Sequence, residues 1–197
     1  MKIGITGGIG SGKSTVTSIF ELLDIPIYYA DIEAKRLMVE SGQIRNKVIA
    51  LFGEEAYVGG VLNRSHVASI AFRDASVLAQ LNAVVHPVVI ADYKGWEKKQ
   101  KSPYTIKEAA LLFESGSYLD SDLNILVSSP LELRLARVIK RDQALKEDVL
   151  ARINKQMPEE EKEKLADFIV YNNESQFLIV QVLELHKKIL RLIHDKR

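Results

Sequence analysis

The segment Gly7-Gly8-Ile9-Gly10-Ser11-Gly12-Lys13-Ser14 sets glycines, a lysine and a hydroxyl at the spacing G-x-x-x-x-G-K-S, directly after a short apolar run and before a helical pattern. Glycines let the backbone turn tightly enough for successive N–H groups to converge, and a following helix N-terminus adds its positive dipole end. Such a loop is built to hold a phosphate chain. Gly8, Gly10, Ser11 and Gly12 are the expected cradle, with Thr15 and the Ser11 hydroxyl as further donors. Lys13 supplies a mobile charge for the β and γ oxygens. The Ser14 hydroxyl is the expected protein ligand of a Mg²⁺ ion that travels with ATP and is otherwise coordinated by phosphate and water.

Other motifs narrow what such a P-loop serves. A guanine-nucleotide switch would carry Asn-Lys-x-Asp, and the two Asn-Lys pairs read Asn46-Lys47-Val48-Ile49 and Asn154-Lys155-Gln156-Met157. A hydrolytic motor would show an apolar strand ending in aspartate, whereas Leu123 to Val127 runs into Ser128-Ser129-Pro130. Transfer of the γ-phosphoryl to a small acceptor remains, and it requires a base for the attacking hydroxyl and cations for the transferring group. Asp31 follows a strand-like run, where a carboxylate meets the ligand crevice of a parallel sheet, although a helix N-cap for 32–39 would use the same residue. Glu114 follows the apolar stretch Ala109 to Phe113 and is placed at the same crevice, to bind metal-bound water or to hold a lysine. Between Arg134 and Lys155 there are seven basic residues and three acidic ones. Arg134, Arg137 and Arg141 recur at helical spacing, as an arginine-bearing lid over phosphates would need. The mixed run Glu159 to Lys164 is expected to be solvated surface, and His66 and His186 to be structural.

The elements that must position these groups follow from the periodicity. Apolar runs at Ile3 to Thr6, Ile25 to Tyr29, Tyr104 to Phe113, Leu123 to Val127 and Phe168 to Tyr171 alternate with helical patterns, which predicts an α/β fold with a parallel sheet flanked by helices. About seventy residues separate the second run from the third, far more than one crossover helix requires, so an inserted helical domain is expected there. Within it Asn63 and Asp74 are the predicted N-caps, and Pro87 suits the first turn of a helix running toward Trp96 and Lys101. The chain closes with an amphipathic helix over 177–193, with Phe177, Val180, Leu183, Leu185, Ile189, Leu190 and Ile193 as its apolar face. The expected boundaries are a nucleotide-binding core of residues 1–30 and 103–197, including a lid at about 134–163, around an inserted domain of residues 31–102.

Composition removes other classes. A chain of 197 residues, 47% hydrophobic and 27% charged, can close a packed core, and a net charge of +1 leaves no surplus for a nucleic-acid or anionic membrane surface. The absence of cysteine excludes thiolate metal sites and thiol catalysis and fits a reducing compartment, with the cytoplasm as the expected location. No apolar run approaches the ~20 residues that span a bilayer, so no membrane association is expected. The sequence does not fix the oligomeric state; a monomer is the favoured form.

Taken in order, Gly4-Ile5-Thr6 with the loop through Thr15, Ala30-Asp31, Leu81-Asn82 with His86-Pro87, Leu111-Leu112-Phe113-Glu114, Arg141-Asp142, Arg152 with Gln156, and Ala166-Asp167 followed by Asn172 resemble the dephospho-CoA kinase family over nearly the whole chain. The resemblance implies an adenylate-kinase-like core and transfer from ATP to the ribose 3′-hydroxyl of dephospho-CoA, the last step of coenzyme A synthesis. It makes Asp31 the base or orienter of that hydroxyl. It puts His86 and Pro87, with Leu111, Phe113 and Glu114, on the dephospho-CoA side, Arg137 and Arg141 in the lid, and Asn172 near the adenine. The chain departs from the family pattern at Tyr29, where Asp is usual, at Ile90 for Arg, at Ala110 for Pro and near Arg134, where a Gln is usual; Lys94 lies one turn beyond Ile90. A nucleoside or nucleotide kinase, and a non-catalytic ATP-binding switch, are the competing readings.

Overall fold

The computed structural model describes residues 1–71 and 73–195. In chain order the elements are β1 (Lys2–Thr6), α1 (Lys13–Glu21), β2 (Ile27–Tyr29), α2 (Ala30–Glu40), α3 (Gly42–Phe52), β3 (Tyr57–Val58), β4 (Val61–Leu62), α4 (Arg64–Ala71) and α5 (Ala75–Glu97). They continue with β5 (Thr105–Glu108), β6 (Leu123–Ser128), α6 (Leu131–Asp142), α7 (Lys146–Ile153), α8 (Glu159–Leu165), β7 (Phe168–Tyr171) and α9 (Leu178–Asp195). Two compact units result, one of Met1–Tyr29 with Gln100–Arg197 and one of Ala30–Lys99.

In the first unit the sheet order is β2-β5-β1-β6-β7, and every pairing is parallel. Alternation along the strands turns Ile3, Ile5, Ile106, Ile125 and Val127 to one face, where Val16 and Phe20 of α1 and Val182, Leu185 and Ile189 of α9 close a core. Each such side chain contributes roughly 1.5–3 kcal/mol by burial. α8 packs against β6. β1 stands at the centre, so the glycine loop leaves the carboxyl end of the middle strand, where open α/β sheets bind ligands.

One expected boundary and one expected face change. The run 104–113 is a strand only as far as Glu108, whose register partner is Ile5. Beyond it β2 has ended at Tyr29 and only one more bond to β1 forms, from the Ala109 N–H to the Ile5 carbonyl at 3.1 Å, so Leu112 and Phe113 bury themselves in turns instead. In α9 the buried stripe is Val182, Leu185 and Ile189, with Leu178 and Ile193 packed beside it. Phe177 is 81% exposed, and Val180, Leu183 and Leu190 lie on the exposed flanks.

Tyr104 and His186 join β5's start to α9: the hydroxyl lies 2.6 Å from His186 Nδ1, and the Tyr104 ring meets Phe20 edge to face. His66 is likewise structural, with Nε2 2.8 Å from the Phe52 carbonyl. Burial lowers the pKa of His186 and raises that of Tyr104. The unfolded chain therefore binds this imidazole's proton more readily than the folded one, so the contribution of His186 is full above about pH 6.5 and is lost as pH falls through the folded value. Acidification from pH 7.5 to 5.5 should lower the Tm of the wild type by more than that of His186→Gln. Equal falls would show that His186 does not titrate on unfolding.

The second unit has its own core, with Ile44, Val48 and Phe52 of α3 against Leu37, Val67, Ala71 and Val85. Asn63 Oδ1 accepts from the His66 N–H at 3.2 Å and Asp74 Oδ1 from the Ser76 N–H at 2.8 Å, so both predicted caps form. The unit is not purely helical: Tyr57 pairs Leu62 in a hairpin across Gly59-Gly60, and the Tyr57 hydroxyl donates to the Met38 carbonyl at 2.6 Å. Pro87 does not open a helix. It lies inside the 23-residue α5 that Asp74 caps. Its missing N–H falls on the exposed side, where the carbonyl of Ala83 can be hydrated, while Val85 anchors the same stretch to the core.

Candidate functional site

The glycine loop runs from the end of β1 to Lys13, where α1 begins behind Gly12 at φ 94°. Gly12 is required there on two grounds: the left-handed backbone, and the Asn172 amide, which a Cβ would overlap. Among the described residues no side chain caps α1, and an uncapped first turn offers its N–H groups to an acceptor brought by a ligand. Ser11 is fully buried, and its hydroxyl has no hydrogen-bond partner among the described residues. Lys13 Nζ donates to the Gly7 carbonyl at 2.8 Å, folded over the loop it follows, and Ser14 and Thr15 are exposed. Chemically, an uncapped helix start behind a glycine loop with a lysine beside it can take an anion.

The loop is gripped from outside. The Ile9 N–H donates to Gln156 Oε1 at 2.8 Å, Arg134 Nε donates to the Ile9 carbonyl at 3.0 Å, and Asn172 Nδ2 donates to the Ser11 carbonyl at 2.8 Å. The three arginines of α6 thus divide. Arg134 does not share one face and one duty with the others: only 6% exposed, it is ion-paired with Glu159 at 3.3 Å behind the loop. Arg137 donates to Ser129 Oγ at 3.0 Å, to Asn172 and to Glu174 Oε1 at 3.3 Å. Arg141 is exposed and shares the Asp142 carboxylate with Arg152, at 2.7 and 3.0 Å. Those two guanidinium groups push the Asp142 pKa down to about 2. Both ends of the Asn172 amide are engaged, one with the loop and one with Arg137.

Glu114 holds a lysine. Its Oε1 accepts from the Met157 N–H at 3.0 Å and lies 3.1 Å from Nζ of Lys162, which is fully buried. The run 159–164 is therefore not simply solvated surface: one turn of α8 sends Glu159 to Arg134 and Lys162 to Glu114, and residues three apart share a helix face. That shared face was the available signal. Removing one partner of a buried pair strands the other charge, so Lys162→Met should destabilise the protein by roughly 3–5 kcal/mol. Adding Glu114→Gln to Lys162→Met should restore part of the loss in a denaturant titration. No recovery in the double variant would mean that Lys162 acts by packing alone.

Of the remaining expected site residues, Phe113 is buried edge to face with Tyr118 at 5.5 Å, and Leu111 is 49% exposed. Asp31 is the second residue of α2, two residues past the end of β2, and is exposed. It therefore lies inside the first helical turn rather than at the N-cap. His86 and Pro87 are exposed on α5 of the second unit.

Comparison with known proteins adds a family. The profile described as dephospho-CoA kinase matches residues 1–177. A dephospho-CoA kinase of Bacteroides fragilis is 38% identical over 98% of this chain and 95% of its own length. Among solved structures, the protein TT1252 of Thermus thermophilus is 37% identical with a TM-score of 0.88, covering 96% of this chain and 97% of its own. The dephospho-CoA kinase of Campylobacter jejuni is 27% identical with a TM-score of 0.69, over 96% of this chain and 98% of its own.

Proposed function

This chain belongs to the dephospho-CoA kinase family, and we propose that its P-loop holds the ATP phosphates while Asp31 accepts the proton of the acceptor's ribose 3′-hydroxyl. The enzyme is a kinase of the final step of coenzyme A biosynthesis. The observation that carries the nucleotide reading is the uncapped α1 N-terminus beside a buried Ser11 hydroxyl without a partner, in a chain whose full-length relatives are dephospho-CoA kinases.

In the reaction an O3′ lone pair forms the new bond to the γ phosphorus, the bond to the β–γ bridging oxygen breaks, and ADP leaves with that electron pair. The hydroxyl proton goes to the Asp31 carboxylate. Lys13 exchanges the Gly7 carbonyl for phosphate oxygens and follows the charge as it moves to the leaving group. Arg137 and Arg141 are the lid cations, Arg137 reaching phosphate by giving up its ion pair with the exposed Glu174. Asn172, which braces Ser11, lies on the adenine side. His86, Pro87, Leu111, Phe113 and Glu114 serve the dephospho-CoA side, Phe113 and Glu114 by shaping the loop after β5.

Mg²⁺ suits the donor set. Among the described residues no group of three or more His, Cys, Asp or Glu could cage a metal, while the Ser14 hydroxyl is exposed in the first turn of α1. A hard cation bound through one hydroxyl, phosphate oxygens and water fits that arrangement, and when bound it neutralises phosphate charge. Among the described residues no helix is long and apolar enough to cross a membrane, and we place the reaction in the cytoplasm. ADP release should rise at least a hundredfold when dephospho-CoA is added to enzyme and MgATP, and little with AMP, a nucleoside or water. Equal rates with a nucleotide acceptor would overturn the acceptor assignment.

A further inference from the structure

We propose that Gln156 and Arg134 are positioning residues that hold the P-loop in its anion-binding shape before nucleotide arrives; the proposal rests on the reading that this loop takes the ATP phosphates. The two side chains grip the same residue. Gln156 Oε1 accepts the Ile9 N–H at 2.8 Å, and Arg134 Nε donates to the Ile9 carbonyl at 3.0 Å. Asn172 Nδ2 holds the Ser11 carbonyl at 2.8 Å in the same way. Among the described residues no peptide bond is cis, and in a trans peptide the carbonyl and the next residue's N–H point in opposite directions. Fixing the Ile9 and Ser11 carbonyls on outside donors therefore turns the Gly10 and Gly12 N–H groups to the other side, toward the cradle.

Without Arg134 and Asn172 as donors a glycine-rich loop is free to rotate either peptide, and an inward carbonyl would present its negative end to phosphate; Gln156, as an acceptor, fixes the preceding peptide, whose Gly8 carbonyl takes the Ser11 N–H at 3.0 Å. The ordering cost is then met on folding rather than on binding, which raises affinity without a new contact to the ligand. Arg134 is built for the task. Its guanidinium lies so close to Gly8 that a Cβ there would overlap it, it is 6% exposed, and Glu159 balances its charge at 3.3 Å. The two holding residues come from α6 and from the α7–α8 connection, so the order of the loop depends on the segment that also carries Glu159 and Lys162.

The test compares wild type, Arg134→Met, Gln156→Met and the double variant at a temperature well below every Tm, measuring the Kd for ADP by calorimetry and the KM for dephospho-CoA. Each single variant should weaken ADP about tenfold. The double should be little worse than the weaker-binding single, because the two side chains fix the peptides on either side of the same residue, Ile9, and the KM for dephospho-CoA should stay within about twofold. If Arg134→Met does not fold, Gln156→Met, which removes only an uncharged acceptor, carries the test alone. ADP affinity within twofold of wild type in folded variants would overturn the proposal, as would equal losses for both ligands, which mark general loosening. No ADP binding by the wild type would overturn the nucleotide reading itself and the proposal with it.

Discussion

Lys13→Ala should reduce phosphoryl transfer at saturating ATP and dephospho-CoA to less than about a hundredth of the wild-type rate, a loss of at least ~2.7 kcal/mol of transition-state stabilisation. The ammonium stands at the first position of α1 and is held 2.8 Å from the Gly7 carbonyl, a contact that phosphate oxygens can replace without moving the helix. Backbone N–H groups can bind a ground-state phosphate, but only a mobile charge can follow the negative charge as it passes to the leaving group. The fall should therefore appear in kcat more than in ATP affinity. A variant that keeps more than about a tenth of the rate, a loss under ~1.4 kcal/mol, would remove Lys13 from the transferring group.

Asp31→Asn should slow turnover by about 10²-fold or more while leaving ADP affinity unchanged. Asparagine matches aspartate in size and hydrogen-bonding reach but cannot accept the hydroxyl proton. Asp31 lies in the first turn of α2, where its charge also complements the helix dipole, and that contribution is at most about 1 kcal/mol at an exposed site. Stability and rate therefore separate. A base predicts a large kinetic defect with a small shift in Tm, and a helix-terminal carboxylate predicts the small shift alone. Near wild-type turnover with an unaltered pH profile would make Asp31 structural and leave the acceptor to be activated by position and metal.

What could be seen in the sequence was what local chemistry controls. The glycine loop, the Asn63 and Asp74 caps and the strand 168–171 depend on residues near one another in the chain, and each forms at the predicted residues. Long-range pairing was not visible. The strand at 105–108 ends level with the end of β2 at Tyr29, which no pattern within 104–113 encodes. The chain's acidic and basic runs were legible as charge but not as destination: Glu159 and Lys162 belong to buried pairs with Arg134 and Glu114, which lie 25 and 48 residues away. Arg134 resembled its helical neighbours in type and spacing, yet it alone turns behind the loop, because its partner arrives from α8. Pro87 reads as a helix start, and that reading is overridden because α5 is anchored by packing and the unmet carbonyl is on the wet side.

The central claim is that the γ-phosphoryl of ATP moves to the ribose 3′-hydroxyl of dephospho-CoA. The direct measurement follows a label from γ-³²P ATP through a complete turnover by the wild-type enzyme, with the products separated and the labelled phosphate located by treatment with a 3′-nucleotidase. One label per ADP formed should appear in coenzyme A and be released by that treatment. Label found only as inorganic phosphate, or attached to an acceptor other than dephospho-CoA, would contradict it.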